Sequence, residues 1–384
     1  MKVAILGGGL MGYALLYDFL TNYPDLQEMI VVEKNAERIN FLWKQFPNQN
    51  TLSFLQLDIT DNEQLKNALL GVRLIISAVP YQFNLQLLEL AMELGAHFLD
   101  LGGNEAILHQ QLALDEKARK LGITAIPACG LAPGLVSILA MDGIKQFQQV
   151  NAVKMYCGGL PQKRIPPLDY QIVFSAHGLL NEYLEPVKVI EEGKIVEKPP
   201  LSDIEPVHFT QPYSPMEAFL TSGGTGTLIY TQQGKVNNLF YKTVRYPGHA
   251  EKMRFLFELG FNSEEPIIIN GQEVSPRHFL EVLLQKNLSF NLPDVVLTRV
   301  EVNGEDEEGE KTIQYELIDV QDAESGLSAM MRTTGFTTAI IGQMILDGII
   351  DAPGVLPLEE TVPPEAFFQR FKQRGLMINR TVQR

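Results

Sequence analysis

The sequence is poor in cysteine and tryptophan, with two Cys and one Trp in 384 residues. Two thiols, Cys129 and Cys157, make no disulfide framework, and this usage fits a reducing cytoplasm. Long apolar runs are also missing. The longest apolar region, "TTGFTTAIIGQMILDGII", is interrupted by Gly335, Gly342 and Asp347, so it reads as a buried or amphipathic helix rather than a membrane span. Basic residues are in deficit: 31 Lys plus Arg stand against 46 Asp plus Glu, a net charge of −15. Such a surface repels nucleic acid and anionic membranes, so neither is an expected partner. The histidines, at 97, 109, 177, 208, 249 and 278, are scattered. With no H-E-x-x-H and no cysteine pair, no metal site is expected. There is no G-x-S-x-G elbow, no G-x-x-x-x-G-K phosphate loop, no repeat and no low-complexity segment.

Against these absences stands a regular alternation. Six short apolar stretches, "KVAIL", "EMIVVEK", "LSFLQLDIT", "RLIISAVP", "AHFLDLGG" and "ITAIPACG", are separated by helical patterns. Continuous apolar strands between amphipathic helices mean a parallel sheet covered on both faces. Pro133 fits the first turn of a following helix. Beyond about residue 150 the strands alternate or lie between Pro- and Gly-rich connections, which predicts an α+β domain with an antiparallel or mixed sheet. The acidic run 303–311 between two alternating stretches reads as a solvated hairpin loop. A helix from Leu327 to about Ile349 is expected to return to the first domain. The expected class is therefore α/β, a doubly wound parallel sheet with a second α+β domain. The boundaries are 1–135 plus about 330–384 for the first and 136–329 for the second.

The opening "MKVAILGGGLMGYALLYDFL" has one basic residue and an apolar stretch, as a secretion signal would, but Asp18, Tyr23 and Asp25 follow where small cleavage-site residues belong. Gly7, Gly9 and Gly12 instead give the G-x-G-x-x-G spacing between a strand and a helix. Gly7 allows the tight turn, Gly9 close approach of a pyrophosphate, and Gly12 close helix–sheet packing. The helix N-terminus at Leu10 and Met11 offers free N–H groups to the phosphates. Glu33 ends the second strand 21 residues after the third glycine, where a carboxylate accepts from a ribose 2′-OH and repels a 2′-phosphate. NAD is the expected cofactor, with Lys34 weakening that preference. Asp58 ends the third strand, near an adenine edge or as a helix cap, and Ala78, Val79 and Pro80 follow the fourth at the ligand-binding edge of the sheet.

The same edge rule singles out Tyr81, Asp100 and Cys129. A carboxylate at Asp100 would position an amine or move its proton, or it caps a turn. Cys129 reads as a packing thiol. In the second domain, "AFLTSGGTGTL" offers a backbone nest at Thr221, Ser222, Gly223 and Gly224 for a carboxylate, or a flexible turn. "YKTVRYPGHAEK" packs Lys242, Arg245, Tyr246 and His249 into a short cationic cluster, a candidate carboxylate clamp or a solvated strand end.

Taken together, "LGGGLMG", "YQFN", "DLGG", "GLAPGLVSIL", "PPLDYQIVFSAHGLL", "EAFLTSGGTGTL" and "YKTVRYPGHAEK" resemble the saccharopine dehydrogenase superfamily, and within it the lysine 6-dehydrogenases, over almost the whole chain. The resemblance implies a Rossmann domain completed by C-terminal helices, and a middle domain that binds substrate and forms a dimer interface. It implies NAD-dependent oxidation of L-lysine at the ε-carbon to allysine, which cyclises to piperideine-6-carboxylate, with release of ammonia. Tyr81, Asp100 and His249 would serve the chemistry, and Tyr170, Lys242, Arg245 and the Thr221–Gly224 backbone the amino acid. Saccharopine dehydrogenase, a carboxynorspermidine-type reductive condensation and an NAD redox sensor stay open beside it. Lys163 and Arg164 are the candidates for the second carboxylate clamp that saccharopine would need.

Overall fold

The computed structural model describes residues 1–384 except Asn48, Phe174 and Asn291. The chain divides into two compact units. The first comprises Met1–Met141, Gly226–Leu228 and Met331–Leu376; the second comprises Asp142–Thr225, Ile229–Met330 and Met377–Arg384.

In the first unit the six apolar stretches form β1 (Lys2–Leu6), β2 (Glu28–Glu33), β3 (Leu52–Gln56), β4 (Leu74–Ser77), β5 (His97–Asp100) and β6 (Thr124–Ile126). With a short edge strand, Gly354–Val355, they make a seven-stranded sheet in the order Gly354–Val355, β6, β5, β4, β1, β2, β3. Every neighbouring pair is parallel. Residues Val3–Leu6 and all of β4 are buried, because helices cover both faces. The chain winds outward through β2 and β3, then returns beside β1 as β4. This reversal opens a crevice at the carboxyl ends of β1 and β4, where such sheets bind ligands.

Helix α1 (Leu10–Asn22) follows β1, and α2 (Ala36–Gln45) follows β2. The helix Thr337–Leu346, preceded by a π-helical turn Arg332–Phe336, packs against α1. Gly335 is required there, since a Cβ would stand 2.5 Å from that of Ala14. Asp18 on α1 is fully buried and accepts from Arg374 Nε at 2.6 Å, Arg374 Nη2 at 2.9 Å, Gln343 Nε2 at 2.9 Å and Asn22 Nδ2 at 2.9 Å. Removing one partner of such a buried pair strands the other charge. Arg374→Ala is therefore expected to lower unfolding stability by about 3 kcal/mol in urea titration, and Arg374→Met with Asp18→Asn by less.

The second unit is built on a nine-stranded mixed sheet. Its strands are β7 (Gln149–Pro161), β8 (Val187–Glu191), β9 (Lys194–Lys198), β10 (Glu205–Val207), β11 (Met216–Leu220), β12 (Val236–Arg245), then, after a separate hairpin β13 (Ile267–Ile269) and β14 (Gln272–Val274), β15 (Asp294–Asp306), β16 (Gly309–Val320) and the strand Asn379–Gln383. The main order is β10, β11, β12, β7, β15, β16, Asn379–Gln383, with β8 pairing β12 and β9. Among the described residues of this sheet, only β7 and β12 run parallel.

Three local expectations change. The 303–311 segment is mostly strand: the ladder runs to Asp306 and Gly309, and only Glu307 and Glu308 form the turn. A left-handed Gly309 (φ +112°) and an ion pair from Lys311 to Asp306 close it. Pro133 lies before its helix rather than in it, because Gly134 (φ +133°) crosses over Gly130 and the helix begins at Leu135. The helical stretch after β5 is two helices, Glu105–Leu112 and Asp115–Leu121, and Asn104 is the cap of the first, accepting from Ile107 N at 3.1 Å.

Candidate functional site

The glycine turn joins β1 to α1. Gly7 has φ +99° and would set a Cβ 2.7 Å from the Ala78 carbonyl oxygen, while a Cβ on Gly12 would stand 1.9 Å from the Gly7 oxygen. Both positions therefore admit only glycine. Gly9, the α1 N-cap, has nothing within 4 Å of a notional Cβ, and no side chain caps the helix. The turn thus presents open space in front of uncapped N–H groups, a fit for a diphosphate. Leu10 at the lip is 51% exposed and Met11 half-buried.

Glu33 ends β2 beside this turn. Its carboxylate accepts from Gly8 N and Asn35 N, both at 2.8 Å. Arg38, in the first turn of α2, reaches back so that Nε donates to Gly8 O and Nη2 to Gly9 O at 3.1 Å, with its guanidinium over Phe41. Sequence reading missed Arg38, although a cation soon after the acid was its signal. Asp58 is exposed and accepts from Thr60 N and Oγ1 at 3.0 and 2.8 Å, which hold its pKa below the usual range. Asp61, not Asp58, caps the next helix.

Beyond β4, the Ala78 amide donates to Leu6 O at 2.8 Å, so the Ala78–Pro80 segment runs alongside the glycine turn. Tyr81 opens the following turn, and the backbone of Gly103 packs against its ring. Asp100, fully buried at the end of β5, accepts from Gly102 N at 2.7 Å, Ala128 N at 3.0 Å and Gln111 Nε2 at 2.7 Å. Burial raises its pKa against these three bonds. Its carboxylate ties the ends of β5 and β6 together. The Cys129 thiol points to Ile126 O, and burial raises its pKa well above the usual range, so it carries no thiolate.

In the second unit the cationic stretch lies on β12 and the helix after it. Strand alternation separates its members. Tyr241, Thr243 and Arg245 point to one face and Lys242 to the other. Lys242 Nζ, over the Phe240 ring, bonds Glu205 Oε1 at 2.8 Å and Asp203 O at 2.6 Å. Arg245 is 3% exposed. Its Nε donates to Tyr183 Oη at 3.0 Å and its Nη1 to Val244 O at 2.9 Å, and it lies 4.6 Å from the Tyr170 ring centre. Among the described residues no carboxylate pairs with it and Nη2 has no acceptor.

His249 is also buried. Its Nε2 is 3.1 Å from Tyr183 Oη and its Nδ1 3.0 Å from Leu168 O. Because Arg245 donates to Tyr183, the phenol donates onward to Nε2, and Nδ1–H donates to the carbonyl. Burial and the Arg245 charge push the imidazole pKa down to about 3, so it stays neutral. On the same side, Thr221 Oγ1 meets Thr243 Oγ1 at 2.7 Å and Ser222 N donates to Glu182 O at 3.1 Å. Gly223 is left-handed (φ +83°), and Gly224 is glycine because a Cβ would stand 2.3 Å from the Tyr241 ring. Glu182, which sequence reading did not single out, stands on the helix Ala176–Leu184 within electrostatic reach of Arg245.

Among the described residues no group of three or more His, Cys, Asp or Glu is arranged to hold a metal ion, and no helix is long and apolar enough to cross a membrane.

The first unit is thus a Rossmann-type sheet with a dinucleotide-binding turn, joined in the chain to a mixed-sheet unit that carries a buried, unpaired guanidinium. Residues 3–126 match the family described as saccharopine dehydrogenase NADP binding domain, and residues 130–376 match the saccharopine dehydrogenase C-terminal domain. The chain belongs to the saccharopine dehydrogenase family. It is similar to the L-glutamate-forming, NADP(+) saccharopine dehydrogenase of Pyricularia oryzae, 26% identical over 55% of this chain and 48% of that one. It is also similar to the carboxyaminopropylagmatine dehydrogenase of Synechocystis sp., 22% identical over 98% and 96%. The chain spans about half the length of curated relatives such as the Pyricularia enzyme and the bovine alpha-aminoadipic semialdehyde synthase. In fold it is similar to apo saccharopine dehydrogenase (L-Glu forming) from Saccharomyces cerevisiae, with TM-score 0.80 at 21% identity over all of both chains. Homospermidine synthase from Legionella pneumophila in complex with NAD shares the fold at TM-score 0.70 and 13% identity, over 100% of this chain and 91% of that one.

Proposed function

We propose that the protein is a nicotinamide-dependent amino-acid dehydrogenase acting at a carbon–nitrogen bond, with the ε-carbon of L-lysine as the oxidised centre. The observation that carries this reading is Arg245, a buried guanidinium without a carboxylate partner, which is a receptor for a substrate carboxylate. A bound dinucleotide supplies the hydride acceptor, so that L-lysine, NAD and water become allysine, ammonium, NADH and a proton. The Gly7–Gly12 turn holds the diphosphate and Glu33 the ribose.

His249 and Tyr183 hold the Arg245 guanidinium in place, and Asp100 fixes the loop beside Tyr81. Asp100 has no exposed surface, and both nitrogens of His249 are engaged. Burial closes off the first and its bonds occupy the second, so neither takes the proton of the ε-ammonium and the amine is taken unprotonated from solution. Activity with lysine then rises with pH toward the amine's own pKa. The test is NADH formation with NAD and L-lysine at alkaline pH. Absence of NADH with lysine, where saccharopine gives it, overturns the substrate assignment.

Saccharopine is the second reading, favoured by the names of the relatives. It requires a second carboxylate clamp, and Arg164 Nη2 is already bonded to Asp169 at 2.9 Å. Lys163 beside it is exposed.

NAD rather than NADP is proposed from Glu33, whose charge repels a 2′-phosphate, against Arg38, which would attract one. Glu33→Ser is expected to shift the ratio of kcat/KM values toward NADP at least 10-fold, and Arg38→Ala to depress NADP use. Initial rates with each cofactor check this, and an unchanged ratio in Glu33→Ser defeats the assignment.

A further inference from the structure

Glu182 is absorbed by none of the roles above. It lies near the carboxyl end of the helix Ala176–Leu184, where its own carbonyl receives Ser222 N. Its side chain is half-buried, and no described residue donates a hydrogen bond to it. The neighbouring Glu185, by contrast, accepts from Ser222 Oγ at 3.2 Å. The titratable and charged groups within electrostatic reach of Glu182 are Arg245 and Tyr241 on β12, Cys157 on β7, Tyr170 from the preceding loop, Tyr183 beside it on its own helix, and Glu185, which caps that helix. Arg245 is the one cation among them.

An unpaired guanidinium and an unpaired carboxylate are therefore within electrostatic reach of each other but not bonded: Arg245 donates to Tyr183, the residue next to Glu182 on the helix. Two opposite charges that close, both retaining open bonding capacity, match a ligand that carries a carboxylate and an ammonium on one carbon. We propose that Glu182 receives the α-ammonium of the substrate while Arg245 receives its α-carboxylate, so that the pair reads the zwitterionic end of an α-amino acid. This rests on the reading of the protein as an amino-acid dehydrogenase and holds equally for lysine or a lysine derivative. Burial, with Glu185 adding to it and Arg245 opposing it, raises the free Glu182 carboxyl to about pKa 7. The ammonium would favour the ionised form, so binding near neutral pH releases a proton.

The test compares L-lysine with 6-aminohexanoate, which keeps the carboxylate and the reacting amine but lacks the α-amine. Wild-type protein saturated with NAD is titrated with each by calorimetry, alongside Glu182→Gln, and steady-state rates are taken from pH 6 to pH 9, a range set on the order of one to two units around that carboxyl. L-Lysine is expected to bind about 10- to 100-fold more weakly to Glu182→Gln, with kcat within about twofold, and 6-aminohexanoate equally to both proteins. Protonation of the ε-amine raises the apparent lysine KM of both proteins alike as pH falls; the additional rise in wild type below about pH 7 should be missing from the variant.

A wild-type protein that binds L-lysine no better than 6-aminohexanoate overturns the proposal, as does a variant that leaves lysine binding unchanged. Equal weakening of both ligands assigns Glu182 to holding Arg245 instead and also overturns it. Failure of the parent reading is distinct: lysine then binds with the stated preference, but no NADH forms.

Discussion

Arg245→Ala is expected to lower kcat/KM for L-lysine about 10³-fold, chiefly through KM, because a desolvated carboxylate loses its only buried guanidinium. The geometry makes the effect specific. Nε and Nη1 are held by Tyr183 and the Val244 carbonyl, which fixes the plane of the guanidinium and leaves the Nη2 edge for an anion. A lysine at this position has neither the fork nor the reach to keep the Tyr183 bond, so Arg245→Lys is expected to recover at most about 10-fold of the loss. Pentane-1,5-diamine, which has two amines and no carboxylate, separates recognition from architecture. Its kcat/KM should be the same in wild type and Arg245→Ala if the residue receives a carboxylate. An equal loss on both substrates would make Arg245 a structural cation. Because His249 is held neutral, with a pKa near 3, its charge contributes no pH dependence to this binding between about pH 5 and pH 8.

The contrast between Arg245 and Lys242 shows where the sequence was readable and where it was not. The six strands of the first sheet were legible because each is a continuous apolar run bounded by glycine, proline or an acid. Strands buried on both faces leave that mark in the residues themselves. The glycine turn was legible for a related reason: its constraints are local, between residues five apart. The cationic stretch was legible only as a density of charge. Counting Lys242 and Arg245 together ignores the two-residue period of the strand, which sends one to Glu205 and the other into the Tyr170 and Tyr183 rings. Glu182 left no sequence signal, since the helix that carries it meets β12 only through tertiary packing. Arg38 lay in between. It stands in the first turn of a recognisable helix, but its return to the Gly8 carbonyl depends on a side-chain path that spacing does not reveal.

The glycines of the turn make opposite predictions although they share one motif. A Cβ on Gly12 would stand 1.9 Å from the Gly7 carbonyl oxygen, a backbone atom that cannot move without displacing the end of β1. Gly12→Ala should therefore damage the fold itself, lowering unfolding stability by about 3 kcal/mol and weakening NAD binding more than 10²-fold. Gly9 differs, since nothing of the protein lies within 4 Å of the position a Cβ would take and its φ of −64° suits any residue. Gly9→Ala should leave urea unfolding within about 1 kcal/mol of wild type. Yet its methyl group would project toward the space in front of the α1 N-terminus, where a diphosphate must approach the backbone closely. NAD binding by this stable variant should weaken at least 10-fold in calorimetric titration. Loss of binding without loss of fold would mark that space as the ligand's, whereas a Gly9→Ala protein that binds NAD as tightly as wild type would remove the diphosphate from the turn and leave Gly7 and Gly12 as packing residues alone.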